Sequence, residues 1–132
     1  ESQKSASCHQ VLFDLWNIRD AEEIYRRSPQ GGGRYAGNLE TLARTVGLGK
    51  EREEWFRRLV GNGHKKEGFV FGSIPGTQHA YVYYAIPEVY GETAWDTWVI
   101  TLDGVYRKRC GDSPPLVDWP SDPVAASWTL MD

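Results

Sequence analysis

Residues 17–48 read NIRDAEEIYRRSPQGGGRYAGNLETLARTVGL, and the breaks in this stretch decide how the chain is built. A helix with one polar side runs into Tyr25, stops at Pro29 and Gly31–Gly33, and gives way to a second, shorter helical segment. Upstream, Cys8, Val11, Leu12, Phe13, Leu15, Trp16, Ile18, Ala21, Ile24 and Tyr25 recur mostly in steps of three and four. That period predicts a helix from about Ser5 to Arg27 with one buried stripe. Asp14, Arg19, Asp20, Glu23 and Arg26 form its more polar face. Proline lacks the donor a helix interior needs, so Pro29 and the glycines end it. Asn38 can cap a short helix over Leu39–Val46, closed by Gly47. A third helical segment, about Lys50–Val60, buries Trp55, Phe56, Leu59 and Val60.

After Gly63 the period shortens to that of strands. Gly68–Ile74 sets Phe69 and Phe71 against Val70, and Pro75-Gly76 signals a turn. In AYVYYAIP, from Ala80 to Pro87, Tyr81, Tyr83 and Ala85 share one face, with Val82, Tyr84 and Ile86 on the other. Trp95–Leu102 places Trp98, Ile100 and Leu102 together. Asp103-Gly104 then reads as a hairpin turn with positive φ at both positions. The expected architecture is α+β: one domain, residues 1–132, with a long N-terminal helix packed on an antiparallel sheet of three to four strands. Its parts are a helix over 1–28, a variable helical loop region over 29–67, the sheet over 68–110 and a C-terminal wrap over 111–132. The helix–sheet contact is expected between Val11, Leu12, Leu15, Ile18 and Tyr25 on one side and Val82, Trp98 and Ile100 on the other.

Composition narrows the class. A net charge of −3 is too mild for a nucleic-acid surface. Six Trp and seven Tyr favour a β-rich core. The basic residues Lys50, Arg52, Arg57, Arg58, Lys65 and Lys66 alternate with acids, as on a solvated helix face. The one local excess, Arg107, Lys108 and Arg109, reads as a guard on an exposed sheet edge. No run of about eighteen apolar residues spans a bilayer, and residues 1–10 have no signal-peptide core.

Catalysis finds little support. His9, His64 and His79 lie on separate elements without ligand spacing, and Cys8 has no assignable base. Gly31–Gly33 follow a helix and lack the Lys-Ser/Thr of a phosphate loop, so they read as a helix stop. Neither catalytic nor cofactor-binding residues are expected. Asp96, Asp103, Asp112, Asp118 and Asp122 could converge on calcium, but no DxDxDG pattern gathers them, and turn roles serve Asp103 and Asp112. Cys8 and Cys110 fit either one long-range disulfide, stabilising by about 4 to 5 kcal/mol in the chain-entropy model, or two separate thiols.

The order of elements resembles the head of type IV pilin-like proteins, including the pseudopilins of type II secretion. LWNIRDAEEIYRRSPQGGGRYAGNLETLA is similar to that family's helix end, LxxIxxAExxY followed by GxYAxxLxxL. GFVFGSIPG with YVYYAIP, WVITLDGVYR, and DWPSDPVAASW resemble the strands and closing phrase of such heads. The likeness runs from about residue 10 to residue 128. It implies a non-enzymatic subunit of an extracellular or periplasmic filament, whose partners are other subunits and whose outer helix face, with Trp16, meets a neighbour. No nucleic acid is expected, and membrane contact would come only through the family's apolar Phe-Thr-Leu-Ile-Glu-type segment, which is not among these residues. A closely spaced C-terminal cysteine pair and the calcium loop of the major secretion pseudopilin are not matched either. The alternative is a stand-alone extracellular or periplasmic binding domain that uses its aromatics for a small or glycan ligand.

Overall fold

The computed structural model describes residues 2–75, 80–109 and 118–131, with side chains from residue 10 onward. Three helices come first: α1 (Ser2–Arg27), α2 (Leu39–Ala43) and α3 (Lys50–Gly61). Six strands follow among the described residues: β1 (Lys65–Lys66), β2 (Phe69–Ser73), β3 (Tyr83–Pro87), β4 (Thr97–Thr101), β5 (Gly104–Lys108) and β6 (Thr129–Leu130). They form one antiparallel sheet in chain order, β1 to β6. Asn38 caps α2 as its residue type predicts, its side-chain oxygen accepting from the Thr41 N–H at 2.8 Å.

This architecture corrects the expected one. The sheet has six strands instead of three or four, and three helices cover one of its faces in place of a single long helix. The two extra strands are two residues each, too short to show a period-2 pattern. β1 is charged throughout and is set by backbone geometry: His64, Glu67 and their glycine neighbours Gly63 and Gly68 all have positive φ, folding the chain back onto β2. α2 and α3 bury Leu39, Leu42, Phe56 and Leu59 in the same cluster as Val11, Leu15 and Ile18 of α1.

Alternation along the strands gives the sheet two apolar faces. Phe69, Phe71, Tyr81, Tyr83, Ala85, Trp98, Ile100 and Val105 meet the helices. Ile74, Val82, Val99 and Tyr106 point the other way, where Trp119 and Trp128 of the C-terminal segment cover them. The two indoles pack edge to face at 4.9 Å, and Trp119 lies 5.4 Å from the Tyr106 ring. The result is three layers: helices, sheet and a C-terminal strap. Of the expected helix–sheet contacts, Val11, Leu15, Ile18, Trp98 and Ile100 are buried together, and Leu12 and Tyr25 pack against them half-buried. Val82 belongs to the strap side, because Tyr81 and Tyr83 take the helix-facing positions of its segment.

The hairpin between β4 and β5 closes earlier than expected. Thr101 pairs with Gly104, so Leu102 and Asp103 form the turn, and Leu102 is exposed instead of packing with Ile100. The Asp103 N–H donates to Thr101 Oγ1 at 3.0 Å, and among the described turn residues only Gly104 has positive φ.

Candidate functional site

α1 presents two faces of different character. Val11, Leu15, Ile18 and Ala21 are sealed against the sheet. On the far side Phe13 is 60% exposed and stands edge-on to the half-buried Trp16, ring centroids 5.5 Å apart. The Arg19 guanidinium lies 5.9 Å from the Trp16 ring, and the Asp20 side chain is 56% exposed beyond it. Spacing of three residues brings Phe13, Trp16 and Arg19 into one ridge along the helix.

Three polar clasps fix the rotation of α1, and with it the direction of that ridge. Asp14, 4% exposed, accepts from Lys66 Nζ at 3.1 and 3.3 Å and from Gln10 Nε2 at 3.1 Å. Asn17 accepts from Arg52 Nε at 2.7 Å, while Arg52 Nη1 donates to the Leu48 carbonyl at 3.1 Å. The third clasp is Glu22, which is fully buried. Its Oε1 accepts from the Ala36 N–H at 2.7 Å, and its Oε2 from the Gly37 N–H at 2.8 Å and the Tyr83 hydroxyl at 2.6 Å. One carboxylate therefore ties α1 to the 36–37 loop and to β3.

Burial raises the carboxyls of Glu22 and Asp14 above their ordinary values, with the donors around each pulling the other way. Burial, then the Glu22 charge, pushes the Tyr83 hydroxyl well above its usual value, and burial raises Tyr81 as well. Glu23, on the solvent side, is held low first by the Tyr35 hydroxyl donating to it at 2.8 Å and then by Arg26. The Tyr35 ring in turn lies 5.5 Å from the Arg26 guanidinium. These contacts hold the helix exit and the following loop in one conformation.

Gly31–Gly33 serve as the helix stop. Gly31 packs under the Tyr25 carbonyl where a Cβ would collide with backbone, and the Gly33 N–H closes onto the Arg26 carbonyl at 2.9 Å. A groove of about 780 Å³ lies between α3 and β1, floored by Trp55 and Leu59 and rimmed by Glu51, Arg58, Lys65 and Glu67. Trp55 is braced edge-on by Phe56 at 4.8 Å and Phe71 at 6.3 Å.

The remaining sequence candidates are dispersed. His64 Nε2 sits 2.9 Å from Glu40 Oε2, tying the turn after α3 to α2. His79, Cys110 and Asp112 lie outside the described residues, as do the side chains of Cys8 and His9. Among the described residues no three of His, Cys, Asp and Glu gather as metal ligands would. Asp96 faces two arginines, Asp122 Oδ1 accepts from the Ala125 N–H at 3.1 Å, and Asp118 is exposed. No described helix is long and apolar enough to cross a membrane. No family model, curated protein or solved structure matches this chain.

Proposed function

We propose that this chain is a non-enzymatic structural subunit of an extracellular or periplasmic filament of the type IV pilus or secretion pseudopilus kind. The observation that carries the reading is the aromatic ridge on α1. A helix already satisfied on its sheet side exposes Phe13 beside Trp16, and its rotation is locked by buried polar clasps. Fixing a solvent-facing ridge this firmly suits a surface that must meet neighbouring subunits in one register. The motif order from about residue 10 to residue 128 supports the same assignment, although the family's strand count does not carry over. Partners are other subunits, meeting the ridge.

The test is made in the organism that encodes the chain. Immunogold labelling with antibody against this domain should decorate surface or periplasmic filaments along their length. Label confined to soluble, unassembled protein would overturn the reading.

A second reading, a stand-alone binding domain for a small or glycan ligand, is favoured by the Trp55-floored groove between α3 and β1. Protection of the Trp55 indole by added oligosaccharide, without filament labelling, would select it.

A further inference from the structure

The cluster Arg107, Lys108 and Arg109 was expected to guard an exposed sheet edge, yet β5 is an inner strand, with β6 pairing outside it at Tyr106 and Arg107. Its basic residues therefore need another account. Lys108 faces the strap: its Nζ donates to the Ala126 carbonyl at 2.9 Å and lies 5.8 Å from the Trp128 ring. Arg107 points to the opposite, helix-facing side, because it pairs with Trp98 across β4 and β5. There its guanidinium lies 5.6 Å from the Trp98 ring, and that of Arg109 lies 5.4 Å from the Trp95 ring.

Between the two arginines stands one carboxylate, Asp96, whose side chain is 15% exposed. It approaches Arg107 Nε at 3.7 Å and Arg109 Nε at 3.6 Å, beyond hydrogen-bond length in both cases. Asp96, Arg107, Lys108, Arg109, Ser127 and Thr129 line a cleft of about 440 Å³. Trp98, buried beneath Arg107, has an indole N–H without a hydrogen-bond partner among the described residues.

We infer that this cleft is an oxyanion site for a tetrahedral anion, a phosphate or sulfate group. Charge supports this: among the described residues Arg107 and Arg109 face the single carboxylate of Asp96, which leaves one positive charge uncompensated on this side of β5. Lys108, turned to the strap, adds to the positive field without reaching the same point. Preorganisation supports it too. Arginines laid on indole faces lose little further freedom when their planar forks engage an oxyanion. Asp96 comes nearest each guanidinium at its Nε and beyond hydrogen-bond length, so it forms no close bond with either. The Ser127 and Thr129 hydroxyls add neutral donors for the remaining oxygens. The inference is independent of the filament reading, since it concerns a different part of the sheet and a different kind of partner.

The test is an NMR titration of the folded chain at constant ionic strength, following the Arg Nε–H and Trp indole N–H signals. Inorganic phosphate is one probe and glucose 6-phosphate the other. The expected result is saturable shifts at Arg107, Arg109 and Trp98. Arg109→Ala should weaken binding at least about tenfold with an unchanged unfolding midpoint. Arg27→Ala, at a cation 74% exposed on α1, should leave binding as it was. Tighter binding of the sugar phosphate assigns a phosphate ester as the ligand, and equal or tighter binding of inorganic phosphate assigns the free ion. Shifts that grow linearly without saturating for both probes, or that persist in Arg109→Ala, would overturn the site.

Discussion

Glu22 concentrates the physical argument at the residue scale. All its described partners are donors: two backbone N–H groups and the Tyr83 hydroxyl. Glu22→Ala removes their acceptor and leaves the buried Tyr83 hydroxyl and two half-buried backbone N–H groups unmatched, so urea unfolding should show a loss of about 3 kcal/mol. Glu22→Gln keeps one carbonyl acceptor but turns an amide N–H₂ toward donors, and should cost about half as much. A loss below about 1 kcal/mol for the alanine variant would mean that the clasp is not holding α1. The pH dependence has a definite sign. The folded-state carboxyl is raised above the reference value of 4.5, so the folded chain holds this proton more tightly than the unfolded chain does. Its stabilising contribution is therefore full below that value and is lost as pH rises through the raised one. Relative to Glu22→Gln, wild-type stability should fall as pH increases across that window, and a rise would contradict burial as the dominant cause. From the sequence Asp14 reads as part of the polar face of α1 and Glu22 draws no notice, yet both are buried. Their spacing from Val11, Leu15 and Ile18 is helical, but a charged residue type argues for solvent until its donors are known. Their donors could not be read, because they come from the 36–37 loop, β3 and β1, far away along the chain.

At the scale of elements, α1 separates stability from docking. Trp16 is half-buried against the core, whereas Phe13 stands out from it. Full aromatic truncations in cores cost about 3 to 5 kcal/mol, so Trp16→Ala should cost about half that, roughly 2 kcal/mol. Phe13→Ala should stay within about 0.5 kcal/mol, as surface changes do. Thermal unfolding of the two variants checks both values, and equal losses would show that the ridge is structural throughout. Helices α1 and α3 were legible because each is long enough to carry a period, whereas α2 was legible only through its Asn38 cap and ends at Ala43, short of the expected Val46 and Gly47. β2, β3 and β4 were legible through alternation, and β5 through the turn signal before it. β1 and β6 were not, since two residues carry no period and pairing alone defines them. The β4–β5 turn was placed one position late because Asp103-Gly104 fits a familiar turn pair, whereas the Thr101 hydroxyl binding the Asp103 N–H selects Leu102-Asp103.

For the whole molecule, the decisive feature is that both sheet faces are covered, one by helices and the other by the strap carrying Trp119 and Trp128. Covered faces leave few large exposed apolar side chains among the described residues: Phe13, Val46, Val89 and Leu102 lie on separate segments, and Val124, Leu130 and Met131 lie on the C-terminal one. A ridge of two aromatics falls far short of the roughly 1,000 Å² that a stable interface needs. Light scattering on the isolated chain should therefore report a monomer at micromolar concentration, and a tight oligomer would refute that. In an assembled filament many such ridges are arrayed together, and contacts too weak to hold a dimer can still set the register between neighbours. The most direct measurement of that claim is cysteine crosslinking in the organism that makes the protein. Phe13→Cys treated with a short bismaleimide should give a ladder of multimers, while Val46→Cys, equally exposed on another surface, should give none. Monomer alone at position 13, or the same ladder from both positions, would contradict the assignment of α1 as the face that joins subunits.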